Sequence, residues 1–213
     1  MNALLGTKIG MTQVFDEEGR RIPVTVLEVG PCAVVQRKTS KSDGYDAVQI
    51  GFEDQKPSRL SKPLQGHFKK GDSSAKRHLR EVRVDADSEL KGGETADVGL
   101  FGEVGFVDVI GVSKGRGFQG VVRRHGMGGG RATHGGGNLR GPGSIGMCEF
   151  PGRVLKGKKL PGQMGNHRVT MQNLKVVEVR GDDNALLVRG AVPGPNGGLV
   201  LIRKSLKKPG GSS

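Results

Sequence analysis

Apolar positions recur along most of this chain in short, β-branched runs rather than at helical spacing. Ile22-Pro23-Val24-Thr25-Val26-Leu27 and Ala33-Val34-Val35 are two such runs. Ile9 and Val14-Phe15 bracket what reads as a turn. Ala47-Val48-Gln49-Ile50 follows Asp43-Gly44, a tight-turn pair. Val82 and Val84 alternate with charges, and Phe106-Val107-Asp108-Val109-Ile110 makes a further strand. After a long interruption the pattern resumes at Leu174–Val179, Leu186-Leu187-Val188 and Leu199-Val200-Leu201-Ile202. Gly181-Asp182-Asp183-Asn184 and the Pro/Gly-rich run Pro193–Gly198 separate these runs. Helical spacing is confined to Ser73–Leu79 and Gly117–Arg124, and Pro209–Ser213 reads as a frayed tail. Many short strands with few helices predict a mainly β fold, a barrel or sandwich. One long excursion leaves it after Ile110 and returns before Leu174. The expected organisation is a β body from 1–113 and 169–208, an excursion over 114–168, and a tail at 209–213.

Charge changes this picture most. The 213 residues carry a formal charge of +13, distributed very unevenly. Residues 1–113 hold 16 basic and 17 acidic side chains, residues 114–168 hold 11 against Glu149 alone, and residues 169–213 hold 7 against 3. The excursion therefore accounts for most of the excess. It is also where glycine concentrates, in a chain with 38 glycines, 4% aromatics and no Trp. A segment this basic and glycine-rich lacks the apolar area to offset its own ordering entropy. It requires an anionic partner. Apolar residues still recur along it (Val121, Val122, Leu139, Ile145, Val154, Leu155 and Leu160), which a plain flexible linker would lack.

Several apparent chemical motifs fail on their surroundings. Gly115-Arg116-Gly117-Phe118-Gln119-Gly120 fits the GxGxxG fingerprint, but the helix that should follow breaks at Gly126-Met127-Gly128, and residues 135–139 hold no acid for a ribose. Gly152–Lys159 nearly fits a phosphate-binding loop, but Lys159 stands where a hydroxyl should meet Mg²⁺. His125, His134, His167 and Cys148 match no zinc spacing, with Glu149 the only carboxylate near them in sequence. Paired-carboxylate catalysis lacks material in the excursion. Asp16-Glu17-Glu18 reads as a solvated turn, and Cys32, after Pro31, as a small core residue. Two cysteines form no disulfide framework, and no apolar run has the length of a signal peptide or membrane span. The expected protein is soluble, with no metal and no cofactor.

The excursion suits RNA. Lysine and arginine neutralise phosphates, and arginine also stacks on unpaired bases. The candidate contacts on this ground are Lys114, Arg116, Arg123, Arg124, His125 and Arg131, then His134, Arg140, Arg153 and Lys156, then Lys158, Lys159, His167 and Arg168. A two-limbed excursion of 55 residues would reach at most ~90 Å per limb if fully extended. That suits threading between RNA helices better than a flat binding face. An RNA-modifying or RNA-processing enzyme would need a cofactor or acid–base pair, and none is evident. A transient assembly factor is the other alternative.

Ordered blocks along nearly the whole chain resemble bacterial-type large-subunit ribosomal protein three. They begin with Gly6-Thr7-Lys8-Ile9-Gly10-Met11-Thr12, Asp43-Gly44-Tyr45-Asp46-Ala47-Val48-Gln49 and Lys62-Pro63-Leu64-Gln65-Gly66-His67-Phe68. They continue with Ser113–Gly120, Thr133-His134-Gly135, Pro142-Gly143-Ser144-Ile145-Gly146, Gly162-Gln163-Met164-Gly165-Asn166 and Gly190-Ala191-Val192-Pro193-Gly194. The resemblance implies a translation-protein-type β-barrel with a small α+β lobe. It implies direct 23S rRNA binding early in subunit assembly, and a loop that approaches the peptidyl-transferase centre. The loop's limbs would be Lys114–Gly143 and Gly152–Arg168, with the tip at Ser144–Pro151, and Ser144, Gln163 and Asn166 join the candidate contacts. The implied setting is cytoplasmic, one copy per large subunit among neighbouring ribosomal proteins, with no membrane and no small-molecule substrate. Where some relatives carry a methylated glutamine, Met147 stands here. Arg140 is followed by Gly141 where many relatives have a second basic residue.

Overall fold

The computed structural model describes residues 1–85 and 90–208, so the expected tail at 209–213 lies outside the described residues. Contacts divide the chain into two units, Met1–Val112 with Arg168 onward, and Ser113–His167. The chain is mainly β.

In the first unit the β-branched runs become β1 (Ala3–Phe15), β2 (Arg21–Val29), β3 (Cys32–Lys38), β4 (Ala47–Asp54), β5 (Lys76–Arg83), β6 (Thr95–Ala96) and β7 (Phe106–Val112). Helix α1 (Lys62–Lys70) lies between β4 and β5. The second unit contributes β8 (Phe118–Gln119), α2 (Val121–His125) and β9 (Gly162–Gln163). The first unit then resumes with β10 (Arg168–Arg180), β11 (Ala185–Arg189) and β12 (Leu199–Lys204).

Six strands follow the order β1-β12-β7-β10-β11-β2, and β2 pairs back onto β1, so their ladder closes on itself. The register puts Leu5 opposite Leu201, Leu27 opposite Leu186 and Val109 opposite Ile202. Leu5, Leu27, Leu186, Val109 and Ile202 are fully buried. A second antiparallel sheet has the order β5-β4-β3-β6. One apolar cluster joins the two sheets, taking Leu4 and Leu186 from the ring and Val34, Val48 and Ile50 from the second sheet. Burying such side chains supplies the main drive for folding. Cys32 belongs to this core: its thiol donates to the Leu5 carbonyl at 3.5 Å, and burial pushes its pKa up to about 11.

Three local expectations are corrected. Ile9 and Val14-Phe15 do not bracket a turn. They lie on one continuous strand, β1, which absorbs an irregularity between Lys8 and Gly10. The turn comes later, where Asp16 N–H donates to the Arg20 carbonyl at 2.9 Å and Gly19 N–H to the Asp16 carbonyl at 2.8 Å. Thr12 and Gln13 continue the ladder opposite Val24 and Pro23, and that pairing outweighs their polar character. Ser73–Leu79 is not helical. Lys76–Arg83 is a strand along β4, with Lys76 Nζ 2.8 Å from Asp54 and Arg77 Nη1 3.0 Å from Glu53. The helix forms earlier, at α1, with Pro63 in its first turn and Phe68 buried. Of Gly117–Arg124, only Val121 onward is helical, and Phe118-Gln119 is strand.

The two exits to the excursion are neighbours, because Arg168 pairs with Val112 and Val169 with Gly111. A polar knot stiffens this strand pair. The buried Asp108 carboxylate accepts from Arg203 Nη2 at 3.1 Å and from Asn173 N–H at 3.0 Å. Asn173 sits at φ +56° where the β10 register shifts, and its Oδ1 accepts from Ser205 Oγ at 2.6 Å.

Candidate nucleic-acid interface

The second unit begins as an antiparallel foot. Ser113 N–H donates to the His167 carbonyl at 2.9 Å, Asn166 N–H to the Ser113 carbonyl at 3.1 Å, and His167 N–H to Ser113 Oγ at 3.2 Å. Arg116 N–H reaches the Met164 carbonyl at 2.9 Å, and Met164 N–H the Gly117 carbonyl at 2.9 Å. Phe118 then pairs with Gln163, and Gln119 with Gly162. Gly165 makes this closeness possible. It sits at φ +75°, and a Cβ there would lie 2.0 Å from the Lys114 carbonyl oxygen.

Above the foot, α2 makes a single turn that ends at Gly126, which is left-handed and donates to the Val122 carbonyl at 3.0 Å. This turn aims Arg124 and His125 across the ribbon. Arg124 Nη1 donates to the Leu160 carbonyl at 2.6 Å, and His125 Nε2 lies 3.0 Å from the same oxygen. The first limb then doubles back. Gly130 N–H donates to the Leu139 carbonyl at 3.1 Å, and a Cβ on Gly129 would lie 2.2 Å from that oxygen. The expected limb Lys114–Gly143 is therefore not one extended run, because a local hydrogen bond and two adjacent glycines fold it on itself. Further on, Ser144 Oγ donates to the Gly146 carbonyl at 2.9 Å.

The unit buries almost no apolar surface. Val121 is the buried apolar side chain among its described residues, while Phe118 is 76% and Phe150 88% exposed. Leu139, Ile145, Met147, Val154 and Leu155 are exposed as well. Ser113–His167 carries ten lysines and arginines against Glu149. Among the described residues, the ion pairs all fall in the first unit.

Among the residues singled out from the sequence, Lys114, Arg116, Arg123, Arg131, His134, Arg140 and Ser144 are exposed. So are Arg153, Lys156, Lys158, Lys159, Gln163, Asn166, His167 and Arg168, the last on β10 in the first unit. Arg124 and His125 are half-buried and committed to Leu160. Neither that carbonyl nor Ser113 as the side chain that closes the foot is visible in the sequence pattern. Gly115–Gly120 forms one side of the foot and leads into the five-residue helix α2 at Gly120, rather than a dinucleotide cradle. Among the described residues no three His, Cys, Asp or Glu side chains gather as a metal site.

This arrangement offers phosphate neutralisation and base stacking from one exposed, positively charged surface. A family model described as "Ribosomal protein L3" matches residues 83–186. A Pelobacter propionicus protein named "Large ribosomal subunit protein uL3" is 51% identical over 204 residues, covering 96% of this chain and 98% of the relative. A protein of the same name from Geobacter sulfurreducens is 50% identical over 96% of this chain and 97% of its own length. One from Corynebacterium jeikeium is 49% identical over 97% and 95%. Identity at this level, spread over nearly the full length of each partner, shows that the chain belongs to the ribosomal protein L3 family.

Proposed function

We propose that this chain is a structural constituent of the large ribosomal subunit that binds 23S rRNA directly through residues 114–168. It is not an enzyme. Its setting is the cytoplasmic ribosome, among neighbouring large-subunit proteins. The observation that carries the reading is the unpaired charge of Ser113–His167: ten cations, one carboxylate and no internal ion pair among the described residues. Such a surface repels itself until phosphates neutralise it.

In this reading the closed strand ring is a translation-protein-type barrel, and the second sheet with α1 is its α+β lobe. The body is 1–113 with 169–208. The exposed cations meet phosphates and fix position, and Phe118, Phe150 and the arginine planes offer stacking faces to unpaired bases. Arg124 and His125 hold the limbs together beside the RNA. Ser144, Gln163 and Asn166 supply polar contacts. The loop enters the subunit interior toward the peptidyl-transferase centre, and the early docking of the chain helps nucleate assembly.

A salt titration tests this. With about six loop cations on phosphates, log K for a 23S rRNA fragment falls with log salt at a slope of about −4 to −5. A flat dependence would remove the loop from the interface.

A further inference from the structure

Strand β1 has two different halves. From Ala3 to Thr7 it is paired on both sides, with β12 and with β2 or its neighbouring turn. Lys8 is still closed by Gly197 and Gly198. From Gly10 to Phe15 the ladder is with β2 alone, so one edge of the strand has no strand partner among the described residues. This edge lacks the usual protection of charge or proline. Ile9-Gly10-Met11-Thr12-Gln13-Val14-Phe15 contains neither. Met11, Gln13 and Phe15 share one face by their alternation, and Ile9, Met11 and Phe15 are 54%, 52% and 64% exposed. Val14 instead turns toward the small cluster of Val24, Ala185 and Leu187.

Charge selects between the possible occupants. The strand offers no cation to a phosphate. At its end Asp16, Glu17 and Glu18 project from the turn, and Arg20 is taken up by them, 2.5 Å from Glu18 and 3.5 Å from Asp16. Arg21, opposite Phe15, is exposed as well, so the tip holds three carboxylates against two arginines and is net acidic, opposite in sign to Ser113–His167. RNA would be repelled there. A basic polypeptide would be attracted, and an extended one would satisfy the open backbone edge and cover the apolar side chains together.

We propose that the outer half of the β1–β2 hairpin, Ile9–Phe15 with the acidic turn, is the docking edge for an extended segment of another, basic protein of the large subunit. The segment adds a strand along Gly10–Phe15, places apolar side chains over Met11 and Phe15, and sets a lysine or arginine against Asp16–Glu18. This inference rests on the proposed placement of the chain in the large subunit.

The test uses the full chain assembled into large subunits, with a photoreactive benzophenone side chain in place of Gln13. Irradiation is expected to yield one crosslinked peptide from one basic subunit protein, with lysine or arginine beside apolar residues. Phe15→Lys in the same chain, which removes the apolar contact and repels a basic segment, is expected to lower that yield at least about tenfold while subunit incorporation continues. Phe15 is exposed, so the variant retains the fold. A crosslink to rRNA, to a second copy of this chain or to nothing, or a yield that Phe15→Lys leaves unchanged, overturns the docking edge alone. A chain that never sediments with the large subunit overturns the proposed function as well.

Discussion

The body and the excursion of this chain handle the same side chains in opposite ways. In the body, Lys38 Nζ sits 2.6 Å from Glu81, Lys76 Nζ 2.8 Å from Asp54, and Arg203 Nη2 3.1 Å from the buried Asp108. In Ser113–His167 none of the ten cations has such a partner among the described residues. Apolar residues divide likewise. Leu186 and Ile202 are fully enclosed, whereas Phe150 is almost entirely in solvent. Each ion pair in the body removes an anion-binding group from its surface. Each cation left unpaired in the excursion keeps one. Under the proposed function, this segment's lack of internal ion pairs is what leaves its cations free for phosphates.

The largest expected effect comes from removing that charge. Changing Arg131, Arg140, Arg153, Lys156, Lys158 and Lys159 together to glutamine should lower affinity for a 23S rRNA fragment about a thousandfold or more at low salt. Filter binding across salt measures it, and the slope should flatten with the affinity. The body should melt as before, since none of these side chains pairs within it.

Next in size is a core deletion. Leu186→Ala should cost about 3 kcal/mol in equilibrium denaturation, because Leu186 is fully buried against the ring and the second sheet. Leu155→Ala, at an exposed position, should change the same transition by less than about 0.5 kcal/mol. Comparable losses at both sites would erase the distinction between the units.

A smaller, local effect is expected at the foot. Gly165→Ala places a methyl against the Lys114 carbonyl and forces a positive φ on alanine, costing about 1–3 kcal/mol locally. Faster hydrogen exchange at Arg116 and Met164, with an unchanged melting transition of the body, is the expected reading. The smallest effect concerns acid. Hydrogen bonds from Lys76 and from Lys38 hold the Asp54 and Glu81 carboxyls below their ordinary values. Their contribution is therefore present above pH about 4 and lost as pH falls through the depressed folded values. Because both are exposed, acid titration of unfolding should show a slight decline there, which Lys38→Met and Lys76→Met together should reduce.

Much of the body was legible because β-branched runs mark strands wherever both neighbours are strands too. It failed where tertiary pairing decided the outcome. Thr12-Gln13 reads as a turn in sequence but pairs with β2, and Ser73–Leu79 reads as weakly helical but gives way to the strand Lys76–Arg83 along Glu53 and Asp54. Helix α1 was hidden by Gly66 and Pro63, which lower local helix preference, while Phe68 supplies the burial that holds it. The excursion's charge could be read directly from composition. Its foot could not, because the contacts there are backbone to backbone across about fifty residues, and the glycine that permits them resembles every other glycine in the segment. Which basic residues point outward was equally hidden, since Arg123 and Arg124 are adjacent in sequence and only the turn of α2 sends one of them to Leu160.

Hydrogen exchange on the full chain, free and bound to 23S rRNA, examines the central contrast most directly. Leu27, Val109 and Leu186 should be protected in both states. The 127–159 stretch should exchange quickly in the free protein and slowly once RNA surrounds it. Equal protection of 127–159 in both states would mean that the segment is held by its own chain, and would contradict the account.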